Sequence, residues 1–389
     1  MRRELGNPRL LRVMNERRLL DRLHDHGPAS RADLAKVTGL SKPTVSAALA
    51  GLADDGLVHL VGEVSGRPGP VTSLYDMNAG SAHVAGIDIG RDWNRVVVAD
   101  LRGSIVGRKD GRNEARNTAD LARHVRELAH AAAAEAGLEW SAITCAVAGT
   151  PGVYDPVAGR LDFAYNLPGA DLVERLRSAL EPDLVIENDI NLAAVGEHAY
   201  GEGRGKAHFA LVSIGTGVGM GIVVNGELYV GARGAAGEVS YLPATEDPPA
   251  AGDPVLLEHG STEVVASAPG VVRAARAAGL DLGSAKKVFE AAGRGDPTAL
   301  AVVEAEGQRI GGLVVAVAAV LDPEVIVLSG GVGRNLDLLG GAIERRVAAL
   351  GPLRPRVVAS ALGDSGVLLG AVARARKRAW ELIFEARLG

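Results

Sequence analysis

Three features of the chain have residue types and spacing that suit chemistry. In LVIENDINLAAVGE, Asp189 follows a β-rich apolar run and opens a helical stretch, which stands its carboxylate at a strand end. A carboxylate there can take the proton of a hydroxyl that attacks a phosphoryl group. The same END triplet also reads as a helix N-cap, and the residues alone leave both readings open. In GARGAAGEVSY, Glu238 follows a Gly/Ala turn and suits hydrogen bonds from sugar hydroxyls. The third feature is a pair of similar stretches, HVAGIDIGRDWNRVVVADLRG and FALVSIGTGVGMGIVVNGELYVG, each a strand, a Gly-containing turn and a returning strand. Glycines at such turns (Gly90; Gly215 and Gly217 around Thr216) let backbone N–H groups approach an anion, so two facing hairpins can cradle a nucleotide's phosphates. Gly330-Gly331, after an apolar helix and a buried strand, is either a close approach to an adenine or a tight turn.

The N-terminal end carries a different chemistry. Residues 10–26 place Leu11, Met14, Leu19, Leu20 and Leu23 near helical spacing and end at Gly27-Pro28. Ser30 suits the N-cap of ADLAKVT, Gly39 interrupts, and Ser41 suits the N-cap of PTVSAALAGLADDG. Two short helices around a Gly-containing turn are the helix-turn-helix pattern, which sets Ser41, Lys42, Thr44 and Ser46 toward base edges. Leu34, Val37, Leu40, Val45, Leu49 and Leu52 are then the small core that fixes the interhelical angle. An ordinary αα-hairpin has the same pattern, but GLVHLVGEVSGRPGPVTSLYDMN follows as two short strands around a Gly/Pro tip, a wing with Arg67 at its end. An arginine so placed can enter a narrow minor groove.

These sites need elements to hold them, and 389 residues suffice for two or three compact units. Hydrophobic residues make up 47% and charged residues 23%, without an apolar run long enough to span a bilayer. The charged first residues have neither an apolar core nor a cleavage site of a secretory signal, so a cytoplasmic protein is expected. Net charge is −5, yet residues 1–78 hold 11 Lys+Arg against 9 Asp+Glu, leaving the remainder at −7. Cys145 is the single cysteine and lies in the apolar run ITCAVAG, where a buried, inert thiol is expected. From His83 onward, short β-rich runs alternate with Gly turns and Ala-rich helices, the texture of an α/β fold. The expected division is residues 1–78 for the winged helix-turn-helix, 79–190 plus 371–389 for one α/β lobe, and 191–370 for a second.

The chain resembles the ROK family (repressors, open reading frames and kinases) along nearly its whole length. The stretches that carry the resemblance are GIDIG, AGTPGVYDP, NLPG, ENDINLAAVGE, SIGTGVGMGIVVNGEL, GAAGEVSY and LDPEVIVLSGGVG. The resemblance implies a winged helix-turn-helix followed by a two-lobed actin-like (ribonuclease H-like) sugar-kinase fold with a sugar in its cleft. It also implies that Asn166, Asn188, Asp189, Glu238 and Glu258 contact the sugar, with Asp189 the catalytic base if catalysis survives.

Two departures shape the functional expectation. The family's kinases carry DxGGT in the first phosphate hairpin, whereas this chain reads DIGRDW, with Arg91, Asp92 and Trp93 at positions of small and hydroxyl residues. Bulk and the Asp92 charge oppose a polyphosphate, so ATP is not expected as a cofactor. The family's one-His, three-Cys zinc site is replaced by Tyr241, Pro249, Ala251 and Leu256, none of which ligates zinc, so no metal is expected. Tyr241 retains one hydrogen bond or a stacking face for a sugar. The expected protein is a sugar-responsive DNA-binding regulator, a repressor by preference, that binds operator DNA and a monosaccharide or derivative as a homodimer or higher homo-oligomer, without catalysis. The alternative is an ATP-dependent hexose kinase carrying a DNA-binding module.

Overall fold

The computed structural model describes residues 8–64, 72–155, 160–162, 171–180, 183–243 and 254–388. α1 (Pro8–His26) turns Val13, Leu19, Leu20 and Leu23 inward. Leu11 and Met14, expected on its apolar face, are instead 49% and 51% exposed. The inward stripe runs through residues 13, 16, 20 and 23 at three- and four-residue steps, and it includes a charged residue, Glu16, that an apolar-only reading passes over.

β1 (Ala29–Ser30) leads into α2 (Arg31–Thr38), which Ser30 and Asp33 start with a reciprocal capping box and Gly39 ends in the left-handed conformation. α3 (Lys42–Asp54) begins at Ser41, whose hydroxyl accepts the Thr44 amide, with Pro43 in the first turn. Leu34, Val45, Leu49 and Leu52 are buried between the helices. Leu40 is only partly buried, and Val37, expected in this core, is 60% exposed. Leu34 and Ala35 set the inward direction of α2, and at 3.6 residues per turn Val37 falls about 110° away from it. β2 (Val58–Val64) and β3 (Thr72–Met77) pair antiparallel as the wing, and β1 adds to the far edge of β3. Arg67 lies outside the described residues.

Two five-stranded sheets follow, with the same order and strand directions among the described residues. The first comprises β4 (His83–Ile89), β5 (Trp93–Asp100), β6 (Ile105–Arg112), β7 (Ile143–Thr150) and β10 (Asp183–Asn188), in the order β10-β7-β4-β5-β6. α4 (Thr118–Glu135) and α5 (Leu172–Leu180) connect its strands, and β8 (Val153–Asp155) and β9 (Arg160–Asp162) form a small hairpin after β7. The second comprises β11 (Phe209–Ile214), β12 (Val218–Val224), β13 (Glu227–Leu228), β14 (Val325–Ser329) and β15 (Val357–Ala359), in the order β13-β12-β11-β14-β15. In each sheet the first strand pairs antiparallel with the second and parallel with the fourth, so the likeness of two hairpins in sequence extends to two whole sheets. Both faces of the central strands are covered, which is why β4, β7 and β14 read as continuous apolar runs. Cys145 lies buried in β7, where burial pushes its thiol up to about 12, away from nucleophilic use.

α6 (Asp189–Tyr200) runs from the end of the first sheet onto the second. Helices α7 (Pro254–His259), α8 (Ser261–Ala266), α9 (Ala268–Ala277), α10 (Ala285–Gly293), α11 (Pro297–Leu321), α12 (Gly330–Gly333) and α13 (Leu336–Leu350) surround the second sheet. α14 (Gly366–Leu388) closes the chain, and the division expected at residue 371 falls within it. α14 packs along α6 through small residues: a Cβ on Gly370 would lie 1.7 Å from the Leu192 carbonyl oxygen, and one on Gly196 would lie 2.4 Å from that of Gly366. The same helix crosses β4 and β7, and its far end meets α1. One apolar cluster therefore runs from Leu19, Leu34 and Leu49 of the winged helix through Phe384 and Val372 of α14 to Val84 and Val147 of the first sheet. No helix among the described residues is long and apolar enough to cross a membrane.

Candidate functional site

The strand ends and loops between the two sheets gather carboxylates. Asp189 stands at the β10–α6 junction, as its place after a β-rich run predicts, but Asn188 is the N-cap. The Asn188 side-chain oxygen accepts the amides of Ile190 and Asn191 at 2.9 and 3.0 Å, and its Nδ2 donates to the Gly152 carbonyl at 2.9 Å. Asn188 thus fixes the start of α6, and Asp189 beside it accepts the Ile190 amide through Oδ1 at 2.8 Å. Burial, followed by the charges of Asp88 and Glu238, pushes the Asp189 carboxyl up to about 7.

Asp88, at the end of β4, is a member of this group that the sequence reading left unassigned. It lies opposite Arg95 in the β4–β5 register and accepts its Nη1 at 2.9 Å. Burial is the larger effect and raises its pKa despite the guanidinium. The hairpin turn itself is closed by Gly90, whose amide donates to the Trp93 carbonyl at 2.9 Å. Arg91 and Asp92 are exposed at its tip, and Arg112 stacks 4.7 Å from the Trp93 ring centroid.

Glu238 follows Gly237, whose φ of 96° brings the chain against β12; a Cβ there would sit 1.9 Å from the Met220 carbonyl oxygen. This contact fixes Glu238 at the start of a short 3-10 turn, partly buried, with its pKa raised by burial and by Glu263. Tyr241, in the same turn, donates its hydroxyl to the Glu258 carbonyl at 3.0 Å, joining two of the residues expected at the sugar. The Glu258 carboxylate is exposed and lies 3.7 Å from His259 Nε2. Asn166 lies outside the described residues, as do Pro249 and Ala251.

Two of the three nucleotide-like loops meet. Gly215, Thr216 and Gly217 form the β11–β12 turn, closed by the Gly215 amide on the Gly217 carbonyl at 2.9 Å. Gly330-Gly331 follows β14 directly against it: a Cβ on Gly215 would lie 3.7 Å from the Gly331 nitrogen. Glu263 of α8 sits at this turn, a neighbour with no signal in the motif pattern. Zinc does not fit the site beyond Tyr241, because Tyr241 and Leu256 supply neither imidazole nor thiolate and the chain's sole cysteine is in β7.

At the other end of the molecule, Lys42 is exposed in the first turn of α3, where the helix dipole favours phosphate. The Ser41 and Thr44 hydroxyls lie 2.8 Å apart, and Ser46 is partly buried on the same helix. Ser41 caps α3, and Lys42, Thr44 and Ser46 lie in its N-terminal half.

A family model described as ROK family matches residues 84–378, which takes in both sheets and most of α14. The chain belongs to the ROK family. A MarR family model matches residues 12–67, the helices and first wing strand of a winged helix-turn-helix. Among characterised relatives, the glucokinase of Halalkalibacterium halodurans is 33% identical over 246 residues, 57% of this chain and 73% of that one. The xylose repressor of Bacillus subtilis strain 168 is 27% identical over 245 residues, 61% of this chain and 62% of that one. A solved ROK family transcriptional regulator, described as a homologue of the E. coli MLC protein, superposes with a TM-score of 0.78 at 20% identity, over 97% of this chain and 98% of that one. The fold is thus a winged helix-turn-helix joined to the two-lobed actin-like ROK fold.

Proposed function

We propose that this ROK protein is a sugar-responsive DNA-binding transcriptional regulator, acting as a repressor, whose kinase-like lobes bind an effector sugar without phosphorylating it. The observation that carries the reading is α14: one helix packs along α6, which starts at Asp189 in the cleft, and also along α1 of the DNA-binding unit. A sugar held by Asp189, Glu238, Tyr241 and Glu258, with Asn188 and Asn166 beside them, shifts the lobes, and α14 carries the shift to the winged helix. Ser41, Lys42, Thr44 and Ser46 face the operator, and Arg67 enters the groove beside it. Two copies read paired half-sites, so a small rotation changes register on DNA. A cytoplasmic location accords with this role.

The alternative is a hexose kinase, favoured by the likeness to a glucokinase and by Asp189 in the position of a base. The DIGRDW hairpin opposes it, because Arg91, Asp92 and Trp93 set bulk and the Asp92 charge where phosphates would lie. No ATP and no structural zinc are part of the reading. Operator release, followed by fluorescence anisotropy across a panel of pentoses, hexoses and their phosphates, tests it, with a phosphoryl-transfer assay on any sugar that binds. Release by a sugar without turnover supports the regulator. Turnover of that sugar makes the protein a kinase, and no DNA binding at all removes the repressor role.

A further inference from the structure

The β11–β12 turn has the small residues of an anion-binding loop at 215–217. In this chain a side chain already occupies that position. Glu263 Oε2 accepts the Val218 amide at 3.0 Å, and the same oxygen lies where a Cβ on Gly217 would come within 2.8 Å. Its other oxygen, Oε1, lies 3.2 Å from His259 Nδ1. The carboxylate is therefore held from both sides, by the loop and by the preceding helix.

The placement is rigid. The Ala268 amide, just past α8, donates to the Gly215 carbonyl at 2.7 Å, tying the far end of this short helix to the turn. At its near end, Ser261 and Thr262 both donate to the Leu242 carbonyl, at 2.8 and 2.7 Å. Gly260, with φ at 77°, brings the chain so close to Ser240 that a Cβ there would lie 2.3 Å from its carbonyl oxygen. The helix that carries Glu263 cannot move away from the turn without breaking this set of contacts. Glu238, whose pKa the charge of Glu263 helps to raise, adds a second carboxyl group nearby, so a phosphate arriving at the turn meets carboxyl groups and an amide already bonded.

We infer that Glu263 is an internal anion that takes the place of a phosphate in the β11–β12 turn and so restricts the cleft to unphosphorylated ligands. The inference rests on the effector-binding reading, and it deepens it by naming Glu263 as a specificity-determining residue and a neutral, unphosphorylated sugar as the effector class. It also explains how a chain can keep the GTG turn and yet have no use for a nucleotide: the turn's ligand is part of the protein.

The test is calorimetric titration of the full chain with inorganic tripolyphosphate and, separately, ATP, for the wild type, Glu263→Gln and Glu263→Ala. Gln preserves an oxygen acceptor for the Val218 amide and removes the charge; Ala removes both. Both variants are expected to bind tripolyphosphate about tenfold or more tighter than the wild type, in line with the cost of like-charge juxtaposition. If Glu263→Ala fails to fold, as judged by its melting curve, Glu263→Gln alone decides. A wild type that binds tripolyphosphate as tightly as the variants overturns the inference, as do folded variants that gain no affinity. Sugar-dependent operator release by the wild type, measured in parallel, reports on the regulator reading separately, because its loss leaves the phosphate comparison intact.

Discussion

Arg387 and Glu16, 371 positions apart in the chain, meet through an Nη2–Oε2 hydrogen bond of 2.8 Å that fastens the last turn of α14 to the middle of α1. Glu16 is 1% exposed, and its other oxygen accepts Arg12 Nε at 2.9 Å. Arg387 also reaches Asp55, just past the end of α3, and its carbonyl accepts Arg9 Nε at 3.0 Å. Farther along the same interface Arg376 donates to His24 Nε2 at 2.8 Å, and Arg17 lies over the Phe384 ring. The DNA-binding unit is thus seated on α14 by charge-assisted bonds around an apolar centre, whereas a flexible tether would allow the two to move independently.

The buried end of that contact sets the first expectation. Arg387→Ala leaves Glu16 with Arg12 alone, and removing one partner of a buried ion pair costs about 3–5 kcal/mol, toward the lower figure here because the second arginine remains. Urea unfolding is expected to show the loss, and sugar-dependent operator release is expected to weaken with it. A variant whose unfolding curve and sugar response both match the wild type would show that α14 does not couple the two units.

The crossing of α14 and α6 is set by atoms that glycine lacks. Gly370→Ala drives a methyl group into the Leu192 carbonyl, and overpacking of this kind costs about 1–3 kcal/mol or more. Gly312, in the interior of α11, has open space where a Cβ would go, so Gly312→Ala is expected to stabilise by about 0.5–1 kcal/mol through helix propensity alone. Thermal melts of the two variants should move in opposite directions. A Gly370→Ala protein that melts with the wild type would mean that the helices separate without cost.

Much of this organisation was legible in the sequence because it is local. Ser30, Gly39 and Ser41 mark helix boundaries through hydrogen bonds made within a few residues, and the paired Gly hairpins announce the duplicated sheets. Residues whose partners are remote gave no such signal. Glu16 reads as a solvent residue on an amphipathic helix until Arg387 arrives, and Glu263 reads as a helix surface residue until the β11–β12 turn is folded beside it. Val37 failed as a core residue for a related reason, since periodicity gives a stripe, and only the packing of α1 and α3 selects which side of a two-turn helix faces inward. Asn188 was legible as a polar residue at a helix start, and its cap to Ile190 and Asn191 assigns the capping role to Asn188, leaving Asp189 in the first turn among the charges of Asp88 and Glu238.

Asp189 has a raised folded-state pKa, about 7 against an ordinary 3.8, so its contribution to stability depends on pH in a defined direction. The folded state binds the proton more tightly than the unfolded chain between those values, and stability therefore falls as pH rises from about 4 to 7. Below that window the group carries no penalty, and above it the penalty is complete, at most about 4 kcal/mol by the conversion of 1.36 kcal/mol per pKa unit and less where water reaches the carboxylate. Asp189→Asn removes the titration. The variant is expected to gain stability over the wild type at pH 8 and little or none at pH 4, as read from paired melting curves. A difference independent of pH would mean that Asp189 titrates normally.

On the DNA face, Ser41 and Lys42 separate two kinds of contribution. Ser41 caps α3 by accepting the Thr44 amide at 3.3 Å, so Ser41→Ala is expected to cost about 1 kcal/mol of stability along with DNA affinity. Lys42 is exposed in the first turn of α3, so Lys42→Ala should leave the melting curve unchanged. If the lysine meets a phosphate, its loss weakens binding to specific and nonspecific duplexes alike and lowers the slope of log affinity against log salt by about 1. If it meets a base edge, the loss falls on the specific duplex and the salt slope changes less. Anisotropy titrations at several salt concentrations distinguish the two, and an unchanged affinity on both duplexes would remove the N-terminus of α3 from the DNA interface altogether.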